Sequence, residues 1–107
     1  MSSAQPELVK AIQTAAKTGK VVLGYRETLK LLLYGKVKLV VLAVNAPPEF
    51  KEDVNHYAKL SNIPVLTFPG TNMELGTILG KPFGVSTLGV VDPGQSNILE
   101  LAGASAR

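Results

Sequence analysis

Leu39-Val40-Val41-Leu42-Ala43-Val44-Asn45-Ala46-Pro47-Pro48 is the stretch from which the fold can be read. Six apolar residues in a row, three of them valine, leave no alternation for a strand with one wet face. They fit a strand covered on both sides, the centre of a sheet lying between helical layers. The run is far short of the roughly 20 residues that a membrane-spanning helix needs. The two prolines then open a helix, because a missing N–H costs nothing in a first turn.

Upstream, Pro6 suits a first helical position, and Leu8, Val9, Ile12, Ala15 and Ala16 make an apolar stripe that stops at Gly19. The spacing predicts a helix over Pro6–Thr18, a strand over 21–23 and a second helix whose Leu29, Leu32 and Leu33 run until Gly35. Downstream, Phe50, Val54, Tyr57, Ala58 and Leu60 form the buried stripe of the third helix, with Glu49, Glu52 and Asp53 near its positive end. Residues 63–68 read as a strand with Pro64 at its start. Thr71-Asn72-Met73-Glu74 matches a capping box and begins a helix that ends near Gly80. Residues 85–91 read as a fourth strand, Asp92-Pro93-Gly94 as a turn and 97–101 as a short extended segment, with a loose tail from Gly103.

Four strands alternating with four helices imply an α/β fold, a three-layer α/β/α sandwich, expected as a single domain over residues 1–107. With 46% apolar and 18% charged residues, the chain can bury a core, which excludes general disorder. No cysteine and one histidine, His56, remove disulfides, thiolate nucleophiles, iron–sulfur clusters and the usual zinc sites, and fit a reduced cytosolic setting. No basic start followed by an apolar block marks a secretory signal. No enzyme, metal or cofactor is expected.

Seven basic against two acidic residues stand in 1–46, and four against six in 47–107. Such asymmetry suggests a positive face for an anionic partner, nucleic acid above all, or merely solubilising lysine.

In this architecture ligands meet the rim where strands end and helices begin, and Gly24 and Asn45 both stand there. A glycine at a helix start lets a phosphate approach free backbone donors. Arg26, in the first turn, opposes the helix dipole, and Lys30 repeats its charge one turn on; both gain a purpose if a phosphate backbone crosses the helix start. The plainer reading is two solvated side chains with Glu27 between them. Asn45 can read a base edge with its amide, or close an Asx turn before proline. Phe83, in Gly80-Lys81-Pro82-Phe83-Gly84, can stack on a base or fold back onto the core.

Other features carry no chemistry. Residues 76–81 fall one residue short of a phosphate loop, and Pro82 replaces its hydroxyl. No dinucleotide fingerprint is present. Glu74 is explained by capping, His56 reads as a surface residue, and Tyr25, Tyr34 and Tyr57 read as packing at element ends.

Taken together, Lys20-Val21-Val22-Leu23-Gly24, Ala43-Val44-Asn45-Ala46-Pro47, Tyr57-Ala58-Lys59-Leu60-Ser61 and Glu74-Leu75-Gly76-Thr77 make the chain resemble the archaeal large-subunit ribosomal proteins of the L-thirty-e type over residues 17–99. These belong with L-seven-Ae to a superfamily that binds kink-turns, sharply bent RNA with tandem sheared G·A pairs, through three loops on one edge. The resemblance implies a cytoplasmic, ribosome-bound protein, a monomer when free, whose partners are ribosomal RNA and neighbouring ribosomal proteins.

By that likeness Gly24, Tyr25 and Arg26 would meet RNA, with Glu27 and Lys30 in the same helix. Asn45, followed by Ala46 and Pro47, would bond a guanine. Phe83 would pack on an extruded base, and Gly84 and Val85 would complete its loop. Relatives of the L-seven-Ae type carry Asn where Arg26 stands, so Arg26 favours the ribosomal type over a kink-turn subunit of an RNA-modification or processing particle. From another class, the alternative is a protein-interaction or small-phosphate domain using the Gly24 helix start alone. Phe83 precedes its strand, so that strand must run antiparallel to place it beside Gly24 and Asn45; a four-stranded mixed sheet is predicted.

Overall fold

The computed structural model describes residues 6–105. In chain order the elements are α1 (Pro6–Thr18), β1 (Lys20–Leu23), α2 (Tyr25–Leu33), β2 (Leu39–Ala43), α3 (Pro48–Ser61), β3 (Val65–Phe68), α4 (Asn72–Ile78), β4 (Thr87–Asp92) and α5 (Ile98–Ser105). The strands form one sheet in the order β1-β4-β2-β3. Strand β2 pairs parallel with β3 and antiparallel with β4, and β4 pairs antiparallel with β1. The sheet is therefore mixed, as the placement of Phe83 required.

All five residues of β2 are buried, and alternation sends them to two cores. Leu39, Val41 and Ala43 join Leu8, Ile12, Ala15, Leu75, Leu88 and Ile98 under α1, α4 and α5. Val40 and Leu42 join Leu32, Val37, Val54 and Ala58 under α2 and α3. This is the three-layer arrangement. Gly89 of β4 lets α2 approach, since a Cβ there would come within 3.0 Å of the Thr28 and Val22 methyls.

Residues 97–101 are not extended, as the sequence suggested. Ser96 Oγ donates to the Ala11 carbonyl and accepts from the Ile98 N–H, starting α5 over a fully buried Ile98. The apolar pattern of so short a segment suits both periods, and packing against α1 selects the helix. The tail expected from Gly103 falls on the end of α5 and on residues 106 and 107, which lie outside the described set. Strand β3 begins at Val65, not at residue 63, and β4 begins at Thr87, not at residue 85; Val85 gives its N–H to the Asn72 carbonyl instead.

The hydroxyls of Thr28 and Thr87 are buried without a hydrogen-bond partner among the described residues. An unpaired buried hydroxyl costs desolvation and returns nothing. Thr28→Val should therefore hold or raise the unfolding free energy by about 1 kcal/mol. Leu88→Ala, at a fully buried position of β4, should lower it by about 2–5 kcal/mol. Denaturant unfolding of the two variants checks the opposite signs.

Candidate nucleic-acid interface

Because β4 runs against its neighbours, its start shares one edge with the ends of β1, β2 and β3. Hydrogen bonds stitch that edge together. Gly24 N–H donates to Thr87 O at 2.9 Å, Ala43 N–H to Ser86 O at 2.9 Å, and Val44 N–H to Gly70 O at 3.1 Å. Gly24 sits at φ 105° with nothing within 4 Å of a would-be Cβ, so conformation rather than space requires glycine there. No side chain caps α2, which leaves its first backbone donors facing the rim.

Arg26, Glu27 and Lys30 are exposed, and none has an ion-pair partner among the described residues. Lys30 lies one turn, about 6 Å, farther from the edge. The other cations of the first half divide differently from the simple positive face suggested by the sequence. Lys20 begins β1, and Lys36 and Lys38 precede β2, so these three stand at the opposite edge. Lys51 comes to the rim in their place, its ammonium donating to Val44 O at 2.7 Å.

Asn45 is exposed and makes neither an Asx turn nor a cap for α3, whose N-cap is Pro47. It pairs with Asn72, 27 residues away. Asn45 Nδ2 donates to Asn72 Oδ1 at 2.9 Å, and Asn72 N–H donates to Asn45 Oδ1 at 2.8 Å. The backbone donor fixes which amide atom of Asn45 is oxygen. Asn72 O in turn accepts the Val85 N–H at 2.9 Å, so one residue ties the second loop to the third. One N–H and one lone pair of Asn45, and both N–H groups of Asn72, stay unengaged among the described residues.

Phe83 is 52% exposed and so is no core residue; Met73 and Val44, exposed to 56% and 47%, flank the same edge. Three other large apolar side chains, Leu33, Tyr34 and Leu60, are exposed at the far ends of α2 and α3, so apolar exposure alone does not mark this edge. The 80–84 loop is seated by two glycines. A Cβ on Gly76 would strike the Phe83 carbonyl, and one on Gly84 would strike the Asn72 amide nitrogen. Thr71 and Glu74 form the capping box read from the sequence, fixing the start of α4 beneath that amide.

Gly24, Arg26, Asn45, Phe83 and Gly84 thus meet on one edge. Ala46 and Val85, at 4% and 3% exposure, are buried behind that edge rather than presented on it. Tyr25 is half-buried and turned toward α3, where its ring stacks on Phe50. Asn72, Met73, Val44 and Lys51 were not singled out from the sequence. Asn72 was hidden by the capping box, which already accounted for its segment, and the other three gave no local signal.

The model of the Ribosomal protein L7Ae/L30e/S12e/Gadd45 family matches residues 7–100. This chain belongs to that family. Over 92 residues it is 56% identical to a Methanocaldococcus jannaschii protein named large ribosomal subunit protein eL30, covering 86% of this chain and 84% of that one. Proteins of the same name from Methanothermobacter thermautotrophicus and Pyrobaculum calidifontis are each 50% identical, covering 91% and 89% of this chain and 99% and 94% of their own lengths. A Bacillus halodurans structure described as a protein with unknown function superposes with a TM-score of 0.78 at 26% identity, over 92% of this chain and 97% of its own.

Among the described residues no cluster of three or more His, Cys, Asp or Glu can hold a metal, and no helix is long and apolar enough to cross a membrane. Gly76→Ala should destabilise the protein by about 1–3 kcal/mol by pushing the 80–84 loop off α4. Met73→Ala, at an exposed position, should change stability by less than about 0.5 kcal/mol. Thermal unfolding separates them.

Proposed function

We propose that this family member is a structural, non-catalytic protein of the large ribosomal subunit that binds ribosomal RNA at a kink-turn through the edge described above. The name shared by its archaeal relatives supports the ribosomal assignment over an RNA-modification particle. The observation that carries the RNA reading is the convergence of an uncapped helix start, a bonded pair of asparagine amides and a half-exposed phenylalanine on one edge.

Each part has a task that its chemistry allows. The start of α2, with Arg26 and Lys30, receives phosphates. The amides of Asn45 and Asn72, held in one orientation before RNA arrives, lose little freedom on bonding to base edges. Sheared G·A pairs offer such edges, and a guanine meets Asn45. Phe83 stacks on a base that the bend turns out, with Gly84 and the backbone of Val85 beneath it. The protein acts as a monomer when free and works in the cytoplasm on the ribosome beside neighbouring ribosomal proteins. No catalytic group is required by any of these tasks.

Binding to a kink-turn RNA and to a straight duplex of equal length tests the reading. Wild-type protein should prefer the bent RNA, with affinity falling as salt rises at a logarithmic slope of about 2–3, against about one for a single-phosphate ligand. Phe83→Ala should weaken bent-RNA binding by about 1–3 kcal/mol without loss of stability. Asn45→Ala should abolish the preference and also lower stability by about 1 kcal/mol, because the Asn72 N–H loses its acceptor. Equal wild-type affinity for both RNAs would contradict the reading.

A further inference from the structure

We propose that Tyr25, Phe50 and Asp53 form a clamp that sets the spacing between the first two RNA-facing loops, which makes Tyr25 a positioning residue rather than an RNA contact. The proposal rests on the RNA reading given above and deepens it. Tyr25 is the first residue of α2, directly after Gly24. Its ring lies flat on that of Phe50, with centroids 3.9 Å apart and planes 6° from parallel, and its hydroxyl donates to Asp53 Oδ2 at 2.6 Å. Phe50 and Asp53 stand in the first two turns of α3, which follows at once from Asn45, Ala46 and Pro47. The two helix starts are thereby joined above the sheet, at the points where the chain leaves Gly24 and Asn45.

The charge of Asp53 makes the clamp distinguishable from an ordinary surface feature. A carboxylate beside an RNA-binding edge repels phosphate, so its removal on electrostatic grounds alone would tighten binding. The clamp requires the opposite sign. The pairing is also visible by titration. The hydrogen bond to Asp53, with burial and the adjacent charges of Asp53 and Tyr57 adding to it, holds the Tyr25 phenol up at about 12 against an ordinary 10.0. The neutral phenol is thus favoured in the folded chain. Its stabilising contribution is complete below pH 10 and is lost as pH rises toward 12.

The test measures affinity for kink-turn RNA and for straight duplex in the wild type, Tyr25→Phe, Asp53→Ala and the double variant, with unfolding and ultraviolet tyrosine titration of each. Tyr25→Phe keeps the stacked ring and removes only the hydroxyl. Each single variant is expected to weaken bent-RNA binding about three- to ten-fold, with the double variant no weaker than either and duplex affinity unchanged. Asp53→Ala is expected to return the Tyr25 phenol toward its ordinary range. If the wild type prefers bent RNA but Tyr25→Phe binds equally well, or Asp53→Ala binds more tightly, the clamp is overturned while the RNA reading stands. A wild type with no preference overturns both.

Discussion

Strand β4 runs between β1 and β2 in the direction opposite to both, and its ladder of hydrogen bonds carries the 80–86 segment to the edge where Gly24 and Asn45 already lie. Without that reversal, Phe83 would stand at the far end of the sheet. The register of the reversed strand rests on burial. Val41, Leu88 and Val90 are fully buried in one core, and a one-residue slip of β4 would turn Leu88 and Val90 out of it. The packing that stabilises the domain interior therefore also places the loops.

On this frame, polar contacts sharpen what the sheet only approximates. The Asn45–Asn72–Val85 chain of hydrogen bonds joins the loop after β2 to the loop before β4, and the Tyr25–Asp53 bond with its ring stack joins the loop after β1 to the start of α3. Both links are made before any ligand is present, so the edge meets its partner largely arranged. Charge is the looser contribution. Of the cations in the N-terminal half, Arg26 and Lys30 stand on the helix that starts at the candidate site, Lys20, Lys36 and Lys38 stand at the opposite edge, and Lys10 and Lys17 are on α1, while Lys51 reaches the site from the acidic half of the chain.

Features governed by neighbours in sequence were legible from it. The apolar run 39–44 announced a doubly covered strand, and Thr71 and Glu74 announced their capping box; the antiparallel strand came instead from the family resemblance, which puts Phe83 beside Gly24 and Asn45. The family resemblance, carried by four short segments, agrees with the match over residues 7–100. What could not be read depends on distant partners. Asn45 gave no sign of Asn72, nor Tyr25 of Asp53, because each pair is closed by tertiary folding across 27 and 28 residues. The helical state of residues 98–101 depended on Ser96 meeting the Ala11 carbonyl, 85 residues back.

The central claim is that one edge of the sheet, assembled from three loops, receives folded RNA. Nuclear magnetic resonance of the labelled protein titrated with kink-turn RNA tests it most directly, because every amide reports its own surroundings. The account predicts shifts gathered at residues 24–30, 44–47, 72–73 and 83–86, including the side-chain amides of Asn45 and Asn72, with residues 36–38 and 93–95 at the opposite edge unmoved. Shifts concentrated at that opposite edge, or spread evenly over both, would contradict it.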